Sequence, residues 1–175
     1  MFSKEYSFKG IHADKVKKLT ANVTQNVNKH LFSRNLDVYI LAPIVGFLYQ
    51  RKAPLDTTPN IDTTKIFPEQ LIGAQEELKF NYRLIMLLDK ENEPDASERI
   101  KHAFEYFEKE KGAKDELLYE EYVRGGIDVL YEKLIETSLD TVKNLFEFIE
   151  DFNDRYIASV NSDTILDLCK LAKGY

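Results

Sequence analysis

Cysteine is nearly absent from this 175-residue chain: Cys169 stands alone. A single thiol excludes an intrachain disulfide framework and a cysteine-built metal centre, and it favours a reducing, cytoplasmic setting. Glycine and proline number only 7 and 5. So few turn formers suit helices better than a turn-rich β fold. The opening MFSKEYSFKGIHADKVKK lacks the apolar stretch of a secretory leader. A bilayer span is excluded as well. The run from Val38 to Tyr49 is uncharged but only twelve residues long, between Asp37 and Arg51, whereas a spanning helix needs about 20. Catalytic signatures are missing too. There is no P-loop, no Gly-x-Gly-x-x-Gly and no Gly-x-Ser-x-Gly.

What is present is an apolar, aromatic and strongly charged chain. It carries 10 Tyr and 11 Phe, and 31% of its residues are charged. That composition and length predict one folded domain, residues 1–175, burying roughly 70% of its unfolded surface. Residues 1–12 read as a short irregular or strand-like arm. Beyond it, Val16, Leu19, Val23, Val27 and Leu31 recur at helical spacing and predict a helix over 13–32. Residues 36–50 predict a second helix, apolar on all sides and therefore central, kinked at Pro43 and capped by Asn35. Residues 53–65, rich in Pro, Asp, Asn and Thr, predict a loop.

Further on, Pro68 opens another helix, which Gly73 divides from the next. Asp95 caps a helix through Phe107 that stops at Gly112. Gly125–Gly126 marks either a kink or a close helix contact. Thr137 or Ser138 caps the following helix, and Ser162 the last. The fold expected is all-α: an irregular bundle of six to eight helices around the apolar helix 36–50, without a convincing hairpin.

Ligand chemistry finds little support. Three histidines, His12, His30 and His102, lie in separate segments, and none completes a zinc or di-iron pattern. Cys169 reads as a core residue. Acid pairs such as Glu76–Glu77, Glu120–Glu121 and Glu150–Asp151 read as solvated faces. No cofactor is implied.

Charge is the informative feature. Net charge is −6, yet residues 1–52 hold nine Lys/Arg against three Asp/Glu, and the remainder holds 15 against 27. Such asymmetry points to an association partner. The candidate partner-binding residues are Lys15, Lys17, Lys18, Lys29, Arg34, Arg51 and Lys52, on a surface joining the first helix to the 53–65 loop. A protein partner or a homodimer is expected there. Direct nucleic-acid binding through residues 15–52 is the alternative. An enzyme whose site no motif reveals is a third.

One resemblance bears on this. YILAPIVGFLYQRKAPLD, followed by IFPEQL, resembles small accessory proteins encoded beside bacterial DNA phosphorothioation (Dnd) genes and related phage-defence islands. The shared features are an apolar helix ending in Gly, an aromatic and basic residues, then a Pro-Leu step before a polar loop. The likeness covers about residues 38–70. It implies a helical accessory protein working with DNA-modifying or ATP-driven partners, and it supplies no active-site residues.

Overall fold

The computed structural model describes residues 1–24, 27–58, 63–156, 169–170 and 172–173, without the side chains at 23–24, 27–29 and 155–156. Among these residues there are seven α-helices: α1 (Gly10–Leu19), α2 (Asn35–Leu48), α3 (Pro68–Gly73), α4 (Gln75–Leu88), α5 (Ala96–Phe104), α6 (Ala113–Tyr131) and α7 (Thr141–Tyr156). Two small antiparallel pairs accompany them. Strand β1 (Tyr6–Phe8) pairs with β4 (Thr64–Ile66), Ser7 facing Lys65. Strand β2 (Asn22–Thr24) pairs antiparallel with β3 (Val27–His30), Asn22 facing His30. The fold is an all-α bundle, as composition implied.

The centre is α2 against α6, and glycine sets their separation. A Cβ on Gly126 would overlap the Ala42 carbonyl oxygen, and one on Gly46 would overlap the Tyr122 carbonyl oxygen. A Cβ on Gly125 would strike the carbonyl of Arg51, just past the end of α2. Backbone therefore meets backbone, an approach larger residues cannot make. Gly125–Gly126 thus marks the close helix contact, and α6 runs through it unbroken. Around this seam Val38, Tyr39, Ala42, Val45, Tyr122, Val123 and Ile127 are buried. Each large side chain removed from water contributes about 1.5–3 kcal/mol. Helix α2 also continues through Pro43. It is not inaccessible all round, because Ile44 and Phe47 are half-buried and Leu41 is exposed.

The N-terminal arm belongs to the core. Phe2 and Phe8 are buried, and Phe2 packs its ring against Tyr39, Phe107 and Tyr119.

Several local expectations hold. Pro68 opens α3, a break at Gly73–Ala74 separates α3 from α4, and the Asp95 carboxylate accepts from the Ser97 and Glu98 amides. Others are corrected. Helix α1 stops at Leu19, and residues 22–24 and 27–30 are paired strands where a continuing helix was expected. The segment TANVTQNVN is poor in helix formers and rich in β-branched residues. Thr20 closes α1 by donating its hydroxyl to the Val16 carbonyl at 2.9 Å.

Helix α2 begins at Asn35, with Arg34 as the residue before it. The Arg34 amide donates to Asp37 Oδ2 at 2.9 Å. Helix α5 ends at Phe104, and Gly112 instead closes a short 3-10 turn leading into α6. Asp140, accepting from the Val142 and Lys143 amides, caps α7, while Ser138 receives the Asp140 amide. Cys169 is half-buried. Ser162, Ile165 and Leu168 lie outside the described residues.

Candidate functional site

Three distant segments meet at the start of α1. The turn into the helix needs Gly10 at φ 57°, with the Asp56 side chain packed against its Cα. No side chain from the preceding Lys9 caps α1; Asp56 does so from another loop. Its Oδ2 accepts the Ile11 amide at 2.8 Å, and its Oδ1 accepts the Thr58 amide at 2.9 Å and the Thr58 hydroxyl. These bonds, that from the Thr58 hydroxyl foremost, lower the Asp56 carboxyl from 3.8 to about 2. The loop base is pinned to α6: the Ala53 amide donates to the Glu121 carbonyl at 3.1 Å, and Arg124 Nε donates to the Ala53 carbonyl at 2.8 Å.

Between these elements lies an open cleft of about 540 Å³. Ile11, Pro54 and Leu55 border it, and His12, Asp56 and Asp128 supply its polar groups. His12 is only 3% exposed, yet neither ring nitrogen has a hydrogen-bond partner. Its Nε2 lies 3.3 Å from Asp128 Oδ1. That is ion-pair reach without the alignment of a formed hydrogen bond. Lys15 Nζ donates to the same oxygen at 2.7 Å. Burial opposes charge on Asp128, but His12 and Lys15 outweigh it and hold the carboxyl below its usual range.

The seven candidate cations occupy different settings. Lys15 and Lys18 flank the Tyr131 ring at 5.5 and 5.4 Å, and Lys18 also pairs with Asp14. Arg51 pairs with Glu132 at 2.9 Å. Lys15, Lys18 and Arg51 thus converge on the end of α6, at Asp128, Tyr131 and Glu132. Lys52 lies over the Tyr122 ring at 4.9 Å. Arg34 pairs with Asp37 at the start of α2, apart from this group. Lys17 is half-buried on α1, and the Lys29 side chain lies outside the described residues.

Residue chemistry alone missed the cleft's polar groups. His12, Asp56 and Asp128 stand in separate segments, and no motif joins them. The signal was the Lys-Gly-Ile-His step, where a glycine opens a helix beside a histidine. Glu120 is a second correction. It is half-buried, not solvated, and accepts from the Tyr6 and Tyr39 hydroxyls at 2.6 and 2.8 Å. Burial raises its carboxyl against those hydrogen bonds.

No family model, curated protein or solved structure matches the chain. Among the described residues no cluster of His, Cys, Asp or Glu could hold a metal ion, and no helix is long and apolar enough to cross a membrane.

Proposed function

We propose that the chain is a non-enzymatic accessory subunit that captures a protein partner along the edge where α1 meets residues 53–58. One observation carries the reading: this loop is already held. Asp56, Ala53 and Arg124 tie it to α1 and α6, while Ile11 and Leu55 remain 49% and 50% exposed on its rim. A preorganised apolar rim binds without the ordering cost of a free loop. The likeness of residues 38–70 to Dnd-associated accessory proteins connects such a subunit with a bacterial defence or DNA-processing complex.

Direct DNA binding draws on the same cations. Lys15, Lys18, Arg34 and Arg51 each have a carboxylate partner in the chain, so each phosphate contact would first break an ion pair. That favours the protein reading.

A photo-reactive residue at position 55, compared with one at position 149 on α7, tests it in the native host. The proposal expects one defined protein cross-linked from position 55, lost when Ile11→Asp is added at unchanged melting temperature. Cross-links from position 149 alone would move the docking surface elsewhere. A gel shift whose affinity falls steeply with salt would restore the DNA reading.

A further inference from the structure

We propose that α7 is a dimerisation helix: its outward apolar stripe pairs antiparallel with the same stripe of a second copy of the chain, centred on Phe146 and Ile149. This surface lies apart from α1 and residues 53–58, and the proposal does not rest on the docking reading above.

Helix α7 is apolar over too wide an arc for one contact. Leu145 and Phe148 pack on the core, whereas Val142, Phe146 and Ile149 are 56%, 63% and 53% exposed. Leu139, in the turn before the helix, is fully exposed. A helix that buries one face needs an apolar stripe of about 100°; here a second stripe runs beside the first. The helix is held against rolling to cover it. Asn144, itself buried, donates to the Leu134 and Ser138 carbonyls at 3.1 and 2.9 Å. Tyr49 stacks on Phe148 and donates to Asp151 at 2.9 Å. An apolar patch kept outward in this way marks an interaction surface.

The spacing says what fits. Val142, Phe146, Ile149 and Asn153 step by 4, 3 and 4 residues, the repeat of a two-helix seam. One flank of the seam is polar and exposed, with Lys143 and Glu150 seven residues apart. The other flank, at Leu145, is turned to the bundle. In a parallel pair, unlike flanks face each other, which would set Lys143 and Glu150 against the bundle side of the second copy. In an antiparallel pair, like flanks meet. Lys143 then faces Glu150 of the second copy, and the two-fold axis makes the same pair again.

Charge also fixes the register. A slip of one heptad either way would bring Lys143 against Lys143, or Glu150 against Glu150, and like charges so placed repel. Within its own helix Lys143 reaches Glu147 at 3.5 Å, an exposed pair of little strength that leaves the lysine able to turn. The stripe thus carries its own complement. Glu147, Glu150 and Asp154 along the rim would be repelled by an anionic lipid surface. A single helix pair lies at the low end of specific interfaces, which bury about 1,200–2,000 Å², so the dimer is a reversible one.

Sedimentation equilibrium of the full chain tests this, at about 0.15 M salt so that the net charge of −6 is screened beyond about 8 Å. A monomer–dimer equilibrium with a Kd on the order of micromolar is expected. Phe146→Asp should weaken the dimer about tenfold or more, with the melting temperature of the dilute monomer unchanged. Lys143→Glu and Glu150→Lys should each weaken it about three- to tenfold, since each turns two attractive pairs into repulsive ones. The double variant Lys143→Glu/Glu150→Lys should restore it. In the cross-linking comparison above, position 149 should capture the chain itself, giving a product of twice its mass, whatever position 55 captures.

A monomer at hundreds of micromolar would overturn the proposal, and so would a dimer that Phe146→Asp leaves intact. Weakening by the single charge changes without rescue in the double variant would overturn the antiparallel register. A monomer whose position 149 cross-links to a different protein would give the stripe to that protein and overturn the second copy.

Discussion

Two histidines each face an aspartate of α6, and their geometries diverge. His102, at the end of α5, meets Asp115 with Nδ1 2.6 Å from Oδ2, a formed hydrogen bond. His12, on α1, meets Asp128 at 3.3 Å without one and borders an open cleft. The first pair is satisfied and joins α5 to the start of α6. The second is left unsatisfied although it is the more buried, with His12 3% exposed against 23% for the His102 side chain. The same two residue types thus make a structural tie at one place and an unaligned pair at another. Partner satisfaction, not burial or residue type, separates the two.

The comparison depends on α6 holding both aspartates in place, so the largest effect is expected where α6 is positioned. Gly126→Ala drives a methyl into the Ala42 carbonyl. It should cost about 3 kcal/mol or more and disturb both histidine environments, measured by chemical denaturation and by the imidazole NMR signals. Next comes Asp115→Ala. It removes the His102 tie and should cost about 2–3 kcal/mol, leaving the His12 signals unmoved. A loss of the His12 signals as well would mean the two sites are coupled.

A smaller effect concerns the acidic cap of α1. Asp56 has a lowered carboxyl value, so its contribution is present above the unfolded value of 3.8 and fades as pH falls towards about 2. The parent's melting temperature should therefore drop over that window by more than that of Asp56→Asn. Equal drops would remove Asp56 as the acidic anchor of α1. The smallest effect sharpens the contrast most. His12→Leu replaces an unsatisfied polar group by an apolar one of similar size. It should cost less than His102→Leu, since Lys15 still holds Asp128. If His12→Leu destabilised as much as His102→Leu, the two pairs would be equivalent.

The elements legible in the sequence were those with local signals. Pro68 at the start of α3, Asp95 ahead of α5 and the uncharged run of α2 each act over a single turn or stripe, so neighbouring residues suffice to read them. The β2–β3 pair was not legible because Val23 and Val27 also continue the helical spacing of Val16 and Leu19. Only the run of Thr, Asn and Val argues otherwise. The cleft was illegible for a different reason. His12, Asp56 and Asp128 are separated by 44 and 72 residues, and each is ordinary in its own neighbourhood. Their meeting depends on Gly125 and Gly126 drawing the end of α2 onto α6. Glu120 was hidden in the same way, since the tyrosines that donate to it come from β1 and α2.

The glycine contact also has a consequence in time. Gly126 follows Gly46 by 80 residues, so the apolar helix α2 is finished long before its partner is made. At about 5–20 residues per second, a ribosome needs on the order of 4–16 s to span that gap, and its exit tunnel lengthens the delay. During that interval the Val38–Tyr49 surface has no α6 to cover it. A nascent chain of this kind is a natural client for a holding chaperone.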